Sequence, residues 1–181
     1  MMMLADILSF NDRFVCNKYY EPFRATKFPD KKMAVLSCMD TRLTELLPAA
    51  LGLKNGDANI IKNAGALITH PYGSVMRSLL VCIFELGVET ILVVGHDDCG
   101  MQGMQLDSLV DKMMAKGISV EALDTVRASI DLDRWLMGFC SIEDSVRQTV
   151  AAIRSHPLVP TEIEIAGLVM DPSNGKVQLL D

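Results

Sequence analysis

MAVLSCMDTR, residues 33–42, is the stretch on which the fold reading turns. Its first six residues form an apolar run of strand length. The last four of those quoted put an acid and a guanidinium just beyond the strand's end. Outward from it, LTELLPAALG (43–52) reads as helical, with Pro48 opening a second short turn and Gly52 suiting a C-cap. ANIIK (58–62) is a second strand, and SVMRSLLVCIFELG (74–87) is an apolar helix closed by Gly87. TILVVG (90–95), β-branched and apolar, is a third strand. Residues 102–138 read as mainly helical, with breaks near Gly117 and Gly138. Ser141 to Asp144 has the form of a capping box, with Asp in place of Glu, opening a helix that stops before Pro157. EIEIAGLVMD (162–171) is a fourth strand, PSNG (172–175) a turn, and KVQLL (176–180) a hairpin partner. On the N-terminal side, residues 3–20 suit a helix, and residues 21–32, with Pro22 and Pro29, read as a connecting arm.

Strand, helix, strand, helix, strand, helices, strand is the signature of an α/β fold with a mainly parallel sheet. The expected order is 2-1-3-4 with an antiparallel edge strand, flanked by helices. Strands 1 and 3 then lie side by side. Their C-terminal ends flank the crevice where open α/β sheets bind ligands. Cys38 ends strand 1 and His96 follows strand 3, so the chain order alone brings two unusual segments together.

With 181 residues, half of them apolar, the chain has material for one domain with a sizeable core. A net charge of −6 and scattered basic residues argue against a nucleic-acid partner. No run approaches the ~20 apolar residues of a membrane helix. The start, MMMLADILSF, has no positive region and carries Asp6, so it reads as a helix start rather than a signal peptide. Five widely spaced cysteines, an odd number, do not make a disulfide scaffold. A cytoplasmic location is the expectation.

The chemistry lies in Cys38-Met39-Asp40-Thr41-Arg42 and His96-Asp97-Asp98-Cys99-Gly100. Two thiolates and an imidazole are a Cys₂His set of the kind that binds zinc tetrahedrally. Three protein ligands leave a fourth position for water, the mark of a catalytic rather than a structural zinc. Two thiolates neutralise the ion's charge, so the metal wants local help. Asp40 is within reach of the fourth position. It could accept a hydrogen bond from the water there, or bind the metal itself and close the site. Arg42 decides between these, because a guanidinium fork can hold the carboxylate off the metal.

Each residue also has a plainer reading. Cys38 and Cys99 could be core cysteines, and His96 a hydrogen-bonded loop histidine. Asp97 and Asp98 read as acids at the N-terminus of a following helix. Cys16, Cys82 and Cys140 read as structural. His70 and His156, each before a proline, read as solvated, with His70 lining the pocket as a second possibility. Asn63-Ala64-Gly65-Ala66 follows strand 2, and its small residues suit either a tight turn or a pocket wall.

Cys-x-Asp-x-Arg on one strand end and His-x-x-Cys after a later strand resembles the β-class carbonic anhydrases, in the compact branch known from archaea and some bacteria. Lys62-Asn-Ala-Gly-Ala66 and Cys99-Gly100-Met101 extend the likeness. The resemblance implies one zinc per chain at Cys38, His96 and Cys99, with Asp40 and Arg42 as a catalytic dyad. It implies reversible hydration of carbon dioxide to bicarbonate and a proton, with Ala64, Gly65 and Gly100 on the substrate side. It also implies a homodimer or a higher even-numbered oligomer. Residues 1–32 would then pack on the partner, and 33–181 would form the zinc-binding catalytic domain. Two departures stand out: Thr41 where Ser is common, and Asp97, an added negative charge, where Thr is common. The alternatives are a carbon disulfide or carbonyl sulfide hydrolase on the same scaffold, and a non-catalytic zinc-binding protein. A nucleotide-binding domain is disfavoured because the glycine-rich phosphate loops are missing.

Overall fold

The computed structural model describes residues 3–181; Met1 and Met2 lie outside the described residues. Five strands form one sheet: β1 (Met33–Cys38), β2 (Ala58–Asn63), β3 (Thr90–His96), β4 (Glu164–Met170) and β5 (Val177–Leu180). Their order is β2-β1-β3-β4-β5. All neighbours are parallel except β4 and β5, which pair as an antiparallel hairpin. The α/β architecture, the 2-1-3-4 order and the antiparallel edge are as the sequence predicts.

Among the described residues seven α-helices accompany the sheet: α1 (Leu4–Cys16), α2 (Leu43–Ala50), α3 (Ser74–Leu86), α4 (Leu106–Ala115), α5 (Val120–Arg127), α6 (Leu132–Leu136) and α7 (Ile142–Arg154). The central strands are buried on both faces, so they read as near-continuous apolar runs. Alternate residues nevertheless go to opposite sides. Ala34, Leu36, Ile91, Val93, Ile165 and Val169 pack with α3 and α7. Val35, Val94 and Met170 pack with Leu43 and Leu47 of α2 on the other side. Helix α7 lies directly on the sheet because two strand positions there are glycine. A Cβ at Gly95 or Gly167 would stand 2.7 or 2.8 Å from Val146. Gly87 closes α3 in the left-handed conformation (φ 69°), and Val88 N–H reaches back to the Cys82 carbonyl at 3.0 Å.

Several local expectations are corrected. Helix α1 stops at Cys16 rather than at residue 20, because Lys18 adopts φ 56°, which a helix cannot carry. Pro48 sits inside α2 instead of opening a new turn. It forgoes one backbone bond, and the burial of Leu43 and Leu47 holds the helix across the gap. The 102–138 region breaks once more than expected, before α6, where the Asp131 carboxylate accepts from Arg134 N–H at 3.0 Å. Ser141 caps α7 by accepting from Asp144 N–H (3.1 Å). His156 is buried, not solvated. Its Nδ1 accepts from Leu158 N–H (3.2 Å), and its ring meets Tyr72 edge-on at 5.8 Å.

Helix α1 buries none of its own residues, and Leu4, Ile7, Leu8, Phe10 and Val15 are exposed on it. No described helix is long and apolar enough to cross a membrane.

Candidate metal centre

Parallel pairing of β1 with β3 sets two strand ends side by side, and Cys38 and His96 are the last residues of those strands. Beyond His96 the chain does not enter a helix. Asp97 N–H still pairs with the Met170 carbonyl (3.0 Å), and then Asp98 turns to φ 54°. That left-handed residue is incompatible with a helix start, so Asp97 and Asp98 are not helix-terminal acids. The reversal brings Cys99 Sγ to 3.8 Å from Cys38 Sγ.

Two sulfurs held at about 2.3 Å around a tetrahedral ion lie about 3.8 Å apart, which is the separation found here. The Cys38, His96 and Cys99 ligand atoms all fall within 4.8 Å of one another, and all three residues are buried. His96 supplies a further sign. Its Nδ1 lies 2.8 Å from the Asp97 carbonyl, an acceptor, so Nδ1 carries the proton. Nε2 is then a bare lone pair, and it is buried with no hydrogen-bond partner. A buried orphan acceptor is costly unless something binds it, and a carbonyl fixing the other ring nitrogen is how metal-ligating histidines are oriented.

The proximity of the three groups also shifts their acidities. Cys38 is drawn well down, chiefly by its hydrogen bond with Cys99 and against the effect of burial; His96 and the backbone N–H groups of Asp40 and Gly65 add to it. Cys99 is pushed up, as the donor to Cys38 and by burial. Contact with Cys38 raises His96. A divalent cation held there would take both sulfurs as thiolates.

Asp40 is gripped by Arg42. Nε donates to Oδ1 (3.1 Å), Nη2 to Oδ2 (2.9 Å) and the Arg42 backbone N–H to Oδ1 (2.9 Å). These bonds, with the guanidinium charge, hold its carboxyl down to about 2. Arg42 is raised in turn, first by Asp40 and then by Asp98. Asp40 Oδ2 lies 3.9 Å from His96 Nε2, so the carboxylate faces the ligand cluster while Arg42 holds it. Of the two places open to Asp40, the structure shows the one on Arg42.

On the β2 side, Asn63 pins its own loop. Its amide donates to the Leu67 carbonyl (2.7 Å) and accepts from Leu67 N–H (3.1 Å). Gly65 is buried at φ 81°, and a Cβ there would meet Phe139, Met101 and Leu67 at 3.1–3.3 Å. Ala64 is half-buried beside it. Gly100 is exposed in the turn after Cys99, with open space where a Cβ would stand. Cys82 is in the core, Cys16 and Cys140 are exposed, and all five thiols are free. Sequence reasoning missed Asp98 as a partner of Arg42, and Phe139, which arrives from 40 residues beyond Cys99. Only the unusual placing of a second acid beside a ligand could have drawn attention to Asp98.

A parallel sheet whose adjacent strand ends present a Cys-His-Cys set beside an Asp–Arg pair defines a zinc enzyme of the β-carbonic anhydrase class. The chain belongs to the carbonic anhydrase family, whose family model matches residues 33–177. It is 50% identical over 181 residues to the carbonic-anhydrase-like protein YvdA of Bacillus subtilis (strain 168), covering 99% of this chain and 92% of that one. The crystal structure of β-carbonic anhydrase isoform I from Trichomonas vaginalis superposes with a TM-score of 0.89 at 34% identity, over 98% of this chain and 97% of that one. A carbon disulfide hydrolase of Acidithiobacillus thiooxidans is 30% identical over 82% of this chain and 77% of its own length. Zinc is the family's metal, and the donor set here fits it.

Proposed function

We propose that this chain reversibly hydrates carbon dioxide to bicarbonate and a proton. Cys38, His96 and Cys99 hold the metal in this reading, and Asp40 and Arg42 act on the reactants. The carrying observation is the Asp40 carboxylate, held bidentately by Arg42 and facing the ligand cluster at 3.9 Å. Zinc, when bound, supplies the Lewis acidity that brings a water's pKa toward about 7. Asp40, ionised at any working pH, accepts a hydrogen bond from the attacking oxygen and aims its lone pair at the substrate carbon. It acts as an acceptor that orients rather than as an acid. Arg42 keeps that carboxylate off the metal. Gly100, with open space at its Cα, and half-buried Ala64 border the substrate side in this reading, while the missing Cβ of Gly65 makes room for Phe139, Met101 and Leu67. Stronger identity to a carbonic-anhydrase-like protein than to a carbon disulfide hydrolase supports carbon dioxide over the sulfur analogues. Stopped-flow assays on the zinc-loaded protein should give a kcat/KM for carbon dioxide within the common enzymatic range of about 10⁴–10⁸ M⁻¹s⁻¹. Hydrogen sulfide release from carbon disulfide or carbonyl sulfide should be far slower. Faster release of sulfide than hydration of carbon dioxide would reassign the substrate.

The same reading makes the protein a homodimer or an even multiple of it, with residues 1–32 packed on the partner. Its support is the bare apolar face of α1 together with an apolar groove along α3 lined by Tyr72, Leu80, Val81, Phe84 and Leu158. Contiguous exposed apolar side chains of this kind are the surfaces on which subunits meet. Light scattering at micromolar concentration should report twice the chain mass or more. Replacing Leu4, Ile7 and Leu8 together with Ser should shift the protein toward monomer, and an active wild-type monomer would refute the assembly. Five free thiols fit a reducing compartment, and we place the enzyme in the cytoplasm.

A further inference from the structure

Arg42 does more than hold Asp40. Its Nη1 donates to Asp98 Oδ2 at 2.8 Å, and Nη2 donates to the Asp98 carbonyl at 2.9 Å. Asp98 sits on the turn between two metal ligands, His96 and Cys99, at φ 54°. That left-handed backbone is uncommon for a residue other than glycine, and here both the carbonyl and the carboxylate of the residue reach the guanidinium.

The donors are divided, not contested. Asp40 takes the Nε proton and one from Nη2; Asp98 takes one from Nη1, and its carbonyl takes the second from Nη2. Both carboxylates can be satisfied at once, so Asp98 does not pull the arginine away from Asp40. Instead it anchors the far end of a side chain that is 42% exposed and would otherwise be fixed at one end only. An exposed arginine carries large rotamer freedom. A second anchor, on a different loop, narrows it, with the backbone carbonyl as the fixed part and the 85% exposed carboxylate as the movable one.

We propose that Asp98 is a positioning residue that locks Arg42 across the β1 and β3 loops, so that Arg42 keeps Asp40 turned toward the reactants and off the metal. This rests on the carbon dioxide reading above for its kinetic consequence, but not for its geometry. Without the Asp98 carboxylate, Nη1 loses its acceptor, the tie between the two loops rests on the carbonyl alone, and Arg42 releases Asp40 to the ligand cluster more readily.

The test uses Asp98→Gly, Asp98→Asn, Arg42→Ala and the double variant Asp98→Gly/Arg42→Ala, all loaded with zinc. Glycine relieves the left-handed backbone and leaves the carbonyl, so the variant should fold with an unreduced melting temperature. Asp98→Gly should lose about 10–100-fold in kcat/KM for carbon dioxide, the scale of a misplacement of about 1 Å. Asp98→Asn keeps an acceptor for Nη1 and tolerates the same backbone, so it should recover most of that loss. In the Arg42→Ala background the glycine should cost nothing further, because its effect passes through Arg42. Crystals of zinc-loaded Asp98→Gly should show the bidentate Asp40–Arg42 pair broken. An intact pair with full rate overturns the proposal, as does an equal loss in the Arg42→Ala background. Were the wild type inert toward carbon dioxide, the function reading would fail, and the crystallographic comparison would still decide the role of Asp98.

Discussion

Cys99→Ser is expected to empty the metal site and abolish the activity that depends on it. Thiolates bind zinc far better than a serine hydroxyl, which is neutral at working pH. The expectation rests on the pair: Cys38 and Cys99 lie 3.8 Å apart, buried, and as thiolates would together neutralise a divalent ion's charge. Serine removes one anionic ligand and leaves a polar group at a site that is 6% exposed. Changes to outer hydrogen-bond partners of metal ligands already cost 10–100-fold in affinity. Losing a ligand should exceed ~10²-fold, enough for a modest chelator to strip the zinc. Cys82→Ser is the control. That residue is buried in α3, so its hydroxyl should cost about 1–3 kcal/mol of stability while zinc stays at one per chain. Elemental analysis after dialysis against a chelator, with a melting curve for each variant, separates the two effects. Equal zinc retention by both variants would remove Cys99 from the ligand set.

The placing of these cysteines was partly legible in the sequence. The sheet order could be read because MAVLSC and TILVVG are apolar but for Ser37 and Thr90, the near-continuous pattern of strands buried on both faces. Placing those strands side by side was enough to bring Cys38 to His96. The two loops were less legible. Nothing in Asp97-Asp98 announces that the chain will turn left-handed there, because that conformation is set by Cys99 packing back against Cys38 and by Arg42 seizing the Asp98 carbonyl. Phe139 was invisible for a related reason. It reaches Gly65 only after three short helices, α4 to α6, whose ends no local rule fixes. His156 looked solvated beside its proline, yet Tyr72 and the Leu158 N–H enclose it. Periodicity reports which face of an element is buried. It does not report contacts between loops that are distant in sequence.

Asp40→Ala is expected to keep its zinc and lose about 10²–10⁴-fold in rate, the usual contribution of one positioned proton-handling group. The pH behaviour carries the sharper argument. Arg42 holds the Asp40 carboxyl down to about 2, against 3.8 for an unperturbed group. A depressed carboxylate contributes its stabilisation above about pH 4 and loses it only as the pH falls through about 2. Across pH 6–9 Asp40 is therefore always charged, and any change in rate there belongs to another proton. The attacking water must give up a proton, so hydration should rise with pH through a midpoint near or above neutrality. If acid also lets Asp40 leave Arg42 for the metal, the rise should be steeper than a single titration. Asp40→Ala has no carboxylate to make that exchange, so its smaller rate should follow a plain single-proton curve. Arg42→Ala should do the opposite, biasing Asp40 toward the metal and depressing the rate even at high pH. Stopped-flow hydration of carbon dioxide from pH 6 to 9 on the three proteins measures all of this. An Asp40→Ala enzyme with undiminished rate at every pH would take Asp40 out of the mechanism and leave the three-ligand metal centre standing.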